Sequence, residues 1–173
     1  MTTRVLIDTS FLITLVDGKR RHHSIAAQYY RLALEQQIPI YLSVIAASEF
    51  AVKQALTDLP LKQFRILPFN LPHAIRAAEL WRQLDRDESD NRAVVRDDIK
   101  LLAQADKESI QTILTEDANT LHKYCDRLRK QGLLLARTVL LKDGFDPNGL
   151  RDDGQRGLDL TIAQLPEVDS PKE

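Results

Sequence analysis

The chain has 173 residues, of which 43% are hydrophobic and 28% charged, and its formal net charge is -1. This length and composition predict one globular domain with a sizeable core and argue against two. No apolar run is long enough for a membrane span and no signal-peptide pattern opens the sequence, so we expect a cytoplasmic protein. The single cysteine, Cys125, excludes an internal disulfide and a cysteine-rich zinc cluster, and we expect its thiol to be buried.

The charge is unevenly distributed along the chain. From Asp143 onward there are eight acidic and three basic residues, a net charge of -5, which leaves +4 on residues 1–142. Four of the six glycines also lie between Gly144 and Gly157. We therefore expect a domain of residues 1–142 followed by an acidic, Gly/Asp-rich C-terminal tail of residues 143–173. We expect a short helix near residues 158–164 and hypothesise that the tail shields a basic surface on the domain.

Apolar periodicity predicts an alternation of strands and helices. The predicted strands are residues 4–7, 39–43, 64–69, 110–115 and 133–141. The predicted helices are residues 10–15, 22–36, 44–56, 72–84, 98–105 and 118–130, with a polar loop at 85–96. Because parallel neighbours need crossover connections, this alternation predicts a three-layer α/β/α fold with a central, mainly parallel sheet.

Two acidic residues directly follow predicted strands. Asp8 ends the apolar run that opens the chain, and Asp117 follows the strand at 110–115. Open α/β folds bind their ligands at the carboxyl ends of the strands, so both acids are expected at that edge of the sheet. The alternative for Asp117 is a helix N-cap, which is the commoner role of an aspartate at such a boundary.

Asp98 lies on the apolar face of its own predicted helix. Leu101, Leu102 and Ala105 follow it at three, four and seven residues, a spacing that places them on the same helix face. Its neighbour Asp97 instead shares a face with polar residues, which suits a cap or a solvated acid. Capping would explain an aspartate at a helix start but would not explain the apolar face.

Glu49 lies in the helix predicted after the second strand. Its expected neighbours on the same face are Ile45, Val52 and Leu56, all apolar. The alternative is a partly exposed glutamate near the first turn, where the helix dipole favours an acid.

These four acids can lie together at one edge of one sheet. Clustered carboxylates repel and are costly to remove from water, so such a group needs a compensating cation. Oxygen ligands suit Mg²⁺ or Mn²⁺, and such ions activate water and stabilise charge on a phosphodiester.

At these residues the sequence resembles the PIN-domain family of metal-dependent ribonucleases. The matching segments are residues 5–10, 48–50, 97–105 and 113–117, and the resemblance covers roughly residues 4–140. It implies an endoribonuclease that hydrolyses RNA phosphodiester bonds with Mg²⁺ or Mn²⁺. The implied catalytic and metal-binding residues are Asp8, Glu49, Asp98 and Asp117, with Ser10 and Thr115 in support. Lys100 stands where the family usually has a small residue, which leaves Asp97 as an alternative to Asp98.

The chain also resembles the VapC-type toxins of toxin-antitoxin pairs, which are single-domain PIN proteins held inactive by a small antitoxin. The resemblance implies three partners: an RNA substrate, a small antitoxin protein, and a second copy of the chain in a homodimer. No membrane partner is expected.

Basic residues near the acids are candidates for RNA contact. They are Lys19, Arg20 and Arg21 in the densest basic run, and Arg92 and Arg96 in the polar stretch before Asp98. The alternative for the basic run is a solvated loop and helix start. The aromatic residues Tyr29, Tyr30, Phe50 and Trp81 fall at helical spacings, which favours core packing over base stacking.

Two other functions fit parts of the pattern. An aspartyl-phosphate phosphatase also opens with a strand and an aspartate, although it usually has a second Asp where Ser10 stands here. A catalytically inactive PIN-like module that binds RNA or protein would keep the acids as helix caps.

Overall fold

A computed structural model describes residues 3–151 of the chain. The strands are β1 (Val5–Ile7), β2 (Ile40–Ser43), β3 (Phe64–Leu67), β4 (Thr112–Thr115) and β5 (Arg137–Leu140). The helices are α1 (Thr9–Val16), α2 (His23–Glu35), α3 (Val44–Lys53), α4 (Leu71–Gln83), α5 (Arg92–Lys107) and α6 (Leu121–Lys130). Short 3-10 turns lie at Leu56–Asp58, Leu61–Gln63 and Leu141–Asp143.

The strands form one sheet in the order β3-β2-β1-β4-β5, and every neighbouring pair is parallel. This confirms the predicted α/β fold with a central parallel sheet flanked by helices. The chain builds the sheet outward from β1 through β2 and β3, then returns to the other side of β1 with β4. The switch point therefore lies between β1 and β4, which is where open sheets form a ligand crevice. Ile7 pairs with Leu114 in the register, so the residues that follow each strand are neighbours.

The core surrounds the central strands. All three residues of β1 are buried, as expected for a parallel strand covered on both faces. Tyr29 and Phe50 are also buried, whereas Trp81 is only half-buried. Burial raises the pKa of the Cys125 thiol to about 12, so it carries no thiolate chemistry at neutral pH. No helix within residues 3–151 is long and apolar enough to cross a membrane.

The polar stretch at residues 85–96 is not a loop throughout, because α5 begins at Arg92. The Asn91 side chain caps the helix by accepting a hydrogen bond from the Ala93 amide at 2.9 Å. In the first turns only Val95 is buried, and the other residues face solvent. A single apolar residue among polar ones gives too little periodicity to reveal a helix.

Some other helices and strands are shorter than predicted. The helix expected over 44–56 ends at Lys53, and the helix expected over 118–130 begins at Leu121. The final strand, expected over 133–141, spans only Arg137–Leu140.

Residues 144–151 pack onto the domain. Leu150 is 0% exposed and belongs to the main hydrophobic core. The Tyr29 hydroxyl accepts a hydrogen bond from the Asp146 amide at 3.1 Å, and Arg137 donates to the carbonyls of Gly149 and Arg151 at 2.8 and 2.9 Å. The folded packing thus continues past Lys142. The rest of the predicted tail, including the helix near 158–164, lies outside the described residues.

Candidate active site

Asp8 is held at the switch point by hydrogen bonds from both strand ends. It lies directly after β1, is 4% exposed and caps α1 by accepting from the Phe11 amide at 2.8 Å. The Ser10 hydroxyl lies 2.9 and 2.8 Å from its two carboxylate oxygens. At the end of β4, the Thr115 hydroxyl donates to Oδ2 at 2.6 Å. Ser10 and Thr115 therefore fix the orientation of this carboxylate.

Burial has a stronger effect on Asp8 than these hydrogen bonds. Removal from water raises the pKa of Asp8 to about 6, although the hydrogen bonds from Thr115, Phe11 and Ser10 act in the opposite direction. The nearby charge of Asp117 raises the pKa further. The carboxylate is thus costly to ionise despite being well bonded.

Asp117 organises the turn between β4 and α6. Its Oδ1 accepts from the amides of Asn119 and Thr120 at 2.8 and 3.0 Å, and its Oδ2 accepts from the Thr120 hydroxyl at 2.5 Å. Burial raises the pKa of Asp117, but these hydrogen bonds outweigh it and hold the pKa below its ordinary value. Asp117 is therefore ionised near neutral pH. The N-cap position of α6 is Thr120, so Asp117 stabilises the turn before the helix and is not its N-cap, and its charge acts on Asp8.

Asp98 lies on the buried face of α5, where the sequence placed it. Leu101, Leu102 and Ala105 on the same face are all buried, and Asp98 itself is 9% exposed. Its Oδ2 is buried and has no hydrogen-bond partner among residues 3–151. A buried oxygen of this kind is rare in proteins and calls for an explanation such as an ion or catalytic role.

The pKa of Asp98 shows that the four predicted acids share one electrostatic environment. Burial raises this pKa to about 8, and the nearby Thr120 hydroxyl lowers it. The charges of Asp117, Asp8 and Glu49 then raise it in turn. The charges of the other three acids therefore all act on Asp98.

Glu49 reaches this group from α3 and accepts a hydrogen bond from the Thr9 hydroxyl. Its side of the helix differs from the predicted one, because α3 buries Ala46 and Phe50 while Val52 is 84% exposed. Glu49 is half-buried. Apolar residues occur all round α3, so their periodicity did not identify the face that packs.

Asp97 lies apart from the buried carboxylates. Its side chain is 35% exposed and accepts a hydrogen bond from Lys100 Nζ at 2.6 Å. Between the two neighbouring aspartates, the geometry therefore favours Asp98 as the acid that faces the other three.

The acids do not form a closed cage. Among residues 3–151, no three carboxylate, imidazole or thiol groups converge tightly enough to ligate a single ion directly. Mg²⁺ commonly takes only one or two protein carboxylates and keeps several waters. The oxygen-only donor set and the unpartnered Asp98 oxygen fit an ion held in this way.

Glu116, which the sequence analysis did not single out, fixes the basic run against the site. Its carboxylate accepts hydrogen bonds from Thr14 at 2.6 Å and Arg20 at 2.8 Å, and contacts His22 at 2.7 Å. Its backbone amide donates to Ser10 at 2.7 Å. The charge of Arg20 is therefore offset by an acid. In the sequence, Glu116 lies between two predicted site residues, Thr115 and Asp117. An acid at this position, in a chain with a dense basic run elsewhere, was the signal that could have identified it.

The other predicted RNA-contact residues are exposed. Lys19 and Arg21 face solvent on the loop between α1 and α2, and Arg92 and Arg96 face solvent on α5. The last two line a groove between α4 and α5.

Comparison with known families matches residues 5–126 to the PIN domain. Because this match covers more than half of the chain, the protein belongs to the PIN domain family. A comparison with curated proteins gives no match.

Solved structures share the fold at low sequence identity. VapBC2 from Rickettsia felis, bound to a promoter DNA fragment, is 14% identical with a TM-score of 0.53, covering 79% of this chain and 98% of that one. The sarcin-ricin loop cleaving toxin VapC20 of Mycobacterium tuberculosis is 16% identical with a TM-score of 0.51, covering 77% and 98%. FitAcB from Neisseria gonorrhoeae is 20% identical with a TM-score of 0.53, covering 83% and 97%.

Proposed function

We propose that this PIN-domain protein is a Mg²⁺- or Mn²⁺-dependent endoribonuclease that hydrolyses phosphodiester bonds in single-stranded or looped RNA. The observation that carries the proposal is Asp98, a buried carboxylate with one unpartnered oxygen in the field of three other acids. A bound cation would satisfy that oxygen and offset the repulsion. Hard divalent cations are the ions that oxygen-only sites prefer.

Each acid has a distinct part in the proposed site. Asp8 and Asp98 would hold the ion from a strand end and from a helix, and Asp117 and Glu49 would complete the acidic surroundings. Ser10 and Thr115 keep Asp8 oriented through their hydroxyls. A bound divalent ion supplies a water of lowered pKa and offsets charge on the phosphodiester. No side chain has to attack phosphorus.

The residue two positions after Asp8 argues against aspartyl-phosphate chemistry. The second aspartate of the phosphatases is replaced by Ser10, whose hydroxyl bonds to the Asp8 carboxylate at 2.9 Å. A serine at this position cannot supply the carboxylate that those enzymes have there.

The test is RNA cleavage with mapped products in Mg²⁺, Mn²⁺ and EDTA. We expect Asp98→Asn to lower the cleavage rate about 100-fold or more, the size of loss seen when one transition-state contact is removed. Asp97→Asn is the matched control, because it makes the same change one residue away on an exposed side chain, and its rate should stay close to wild type. Cleavage that survives both Asp8→Asn and Asp98→Asn, or that persists in EDTA, would contradict the proposal.

A melting experiment separates the nuclease from an inactive binding module. Mn²⁺ should raise the melting temperature of the wild-type chain, because an ion that binds only the folded state stabilises it. This rise should disappear in Asp98→Asn and remain in Asp97→Asn. RNA binding with no cleavage and no stabilisation by Mn²⁺ would instead identify the inactive module.

We also propose that the protein is the toxin of a toxin-antitoxin pair, bound by a small antitoxin and forming a homodimer. The structural neighbours support this, since they include VapBC complexes and a toxin that cleaves the sarcin-ricin loop. Induced expression in a bacterial host should arrest growth, and Asp98→Asn should not. Light scattering of the purified chain tests the homodimer. A cytoplasmic location stays a prediction.

A further inference from the structure

We infer that the groove between α4 and α5 binds an unstacked base and its flanking phosphates, as a substrate subsite beside the carboxylates. This inference rests on the proposed function for the identity of the ligand as RNA. The groove has a volume of about 410 Å³. Its apolar floor includes Phe69, Ala77, Trp81 and Ile99.

Trp81 gives the groove an aromatic surface. Its indole is half-buried: it packs against the core, as the sequence analysis expected, and it also lines the groove. The Arg92 guanidinium lies 5.8 Å from the centroid of this ring, within the range of a cation-π contact. Every base has a π-face that can stack on an aromatic side chain, so such a surface accepts RNA without requiring one sequence.

The rim of the groove is basic, and one of its four cations is paired with an acid. Arg82, Arg92, Arg96 and Lys100 line the groove, and no acidic residue does. Lys100 pairs with Asp97. Among the described residues, no carboxylate pairs with the other three guanidinium groups. A partner of an arginine-rimmed aromatic groove must be anionic and must offer flat apolar faces, which single-stranded nucleic acid does.

Helix geometry places the groove beside the proposed catalytic acids. Arg92, Arg96 and Ile99 follow at four and three residues along α5, so they form one stripe. Asp98 lies in the same turn, about 100° round the helix from Ile99. The acid and the Ile99 end of the groove are therefore separated by no more than about one helix diameter, ~10–12 Å. A strand with a phosphodiester at Asp98 can thus place a neighbouring base in the groove.

The test uses the full chain and a short fluorescein-labelled oligouridylate in EDTA, with binding followed by anisotropy. Arg92→Gln combined with Arg96→Gln should weaken binding roughly tenfold and reduce its salt dependence. Arg31→Gln on α2, an exposed arginine outside the groove, is the matched control and should bind as wild type does. Trp81→Leu should also lose about tenfold, while Trp81→Phe keeps most of the affinity because it keeps a stacking face.

Trp81 is the only tryptophan in the chain, so its fluorescence reports on the groove directly. Oligouridylate should quench it in the wild type. In Mg²⁺ or Mn²⁺, the arginine double variant should raise KM for cleavage and leave kcat nearly unchanged, because binding away from the reacting bond is lost. Circular dichroism checks that each variant is folded.

The outcomes distinguish this inference from the proposed function. Metal-dependent cleavage whose KM is unchanged in the double variant would overturn the groove and leave the nuclease intact. RNA binding that quenches Trp81 and depends on the two arginines, without cleavage under any metal, would support the groove while the nuclease fails. Equal affinity for oligoglutamate and oligouridylate would overturn a nucleic-acid subsite in favour of an acidic peptide.

Discussion

The strand-end acids and the helix acid of this site are built in opposite ways. Asp8 and Asp117 accept several hydrogen bonds from hydroxyls and backbone amides, in their own turns and, for Asp8, from Thr115 at the end of β4. Asp98 enters from α5 with one oxygen bonded to nothing in the described structure. The strand ends thus carry preorganised carboxylates that the fold itself holds in place. The helix carries a carboxyl group whose ionisation disfavours the folded state, a cost that a bound cation would offset.

The largest expected effect is the loss of stability when a strand-end acid is removed. Asp8→Ala should lower the free energy of unfolding by about 2 kcal/mol, because it removes a helix cap and leaves the buried Thr115 hydroxyl without its acceptor. Urea denaturation in EDTA measures this change. A stability equal to wild type would mean that the carboxylate contributes nothing to the fold, and the contrast with Asp98 would fail.

Asp98→Asn should change stability in the other direction. In EDTA at neutral pH it should raise the free energy of unfolding by about 1–2 kcal/mol, because on folding the Asp98 carboxyl must either take up a proton or bury its charge, and an amide does neither. The same denaturation experiment applies. Asp97→Asn is again the control and should be nearly neutral, since an exposed ion pair contributes little. Destabilisation by Asp98→Asn would show that its carboxylate is satisfied.

The pH dependence of stability gives an independent check on the gain expected for Asp98→Asn. The folded-state pKa of Asp98, about 8, lies above its ordinary value of 3.8, so the folded protein binds a proton more tightly than the unfolded chain. Wild-type stability in EDTA should therefore fall as pH rises from about 4 to about 8 and then level off. In Asp98→Asn, the part of this fall between pH 6 and 8 should vanish, since Asp8 titrates near pH 6. An unchanged slope in that interval would place the titrating group elsewhere.

The smallest effect is expected at Asp117. Asp117→Ala should lower the free energy of unfolding by about 1 kcal/mol, the usual net value of a hydrogen bond, since the turn amides of Asn119 and Thr120 lose their acceptor. Asp126→Ala on the surface of α6 is the control, because its ion pair with Lys130 is exposed. A loss of stability as large as that of Asp8→Ala would show that the carboxylates at the two strand ends contribute equally to the fold.

Sequence reasoning predicted the position of an acid in the fold correctly where that acid interrupts a strong local pattern. Asp8 ends a fully apolar strand and Asp98 interrupts an apolar stripe, so both stood out before the structure was known. The prediction of which face of α3 is buried beside Glu49 was wrong, because apolar residues occur all round this helix. Only tertiary packing decides that Ala46 and Phe50 are the buried ones. Glu116 was missed because its partners, Thr14, Arg20 and His22, lie about a hundred residues earlier in the chain.

Residue type alone also could not distinguish the arginines that the fold pairs with an acid from those that it leaves without one. Arg20 and Arg96 both stand near site acids in the sequence, yet Arg20 is neutralised by Glu116 and Arg96 is not. The difference depends on which acid the fold brings opposite each guanidinium. The prediction that Trp81 packs in the core was incomplete for a similar reason. Helical spacing identifies which face of a helix is apolar, but not how completely the rest of the fold covers that face.

The packing of residues 144–151 also gives an experimental means of detaching this segment. Gly149 lies so close to Tyr29 that a methyl group added to it would come within 2.9 Å of the ring and hydroxyl. A single Gly149→Ala change would thus displace the segment without altering any residue of the site or of the α4/α5 groove. Comparing that variant with a chain ending after Arg151 separates the effect of an undocked segment from the effect of the residues that follow it.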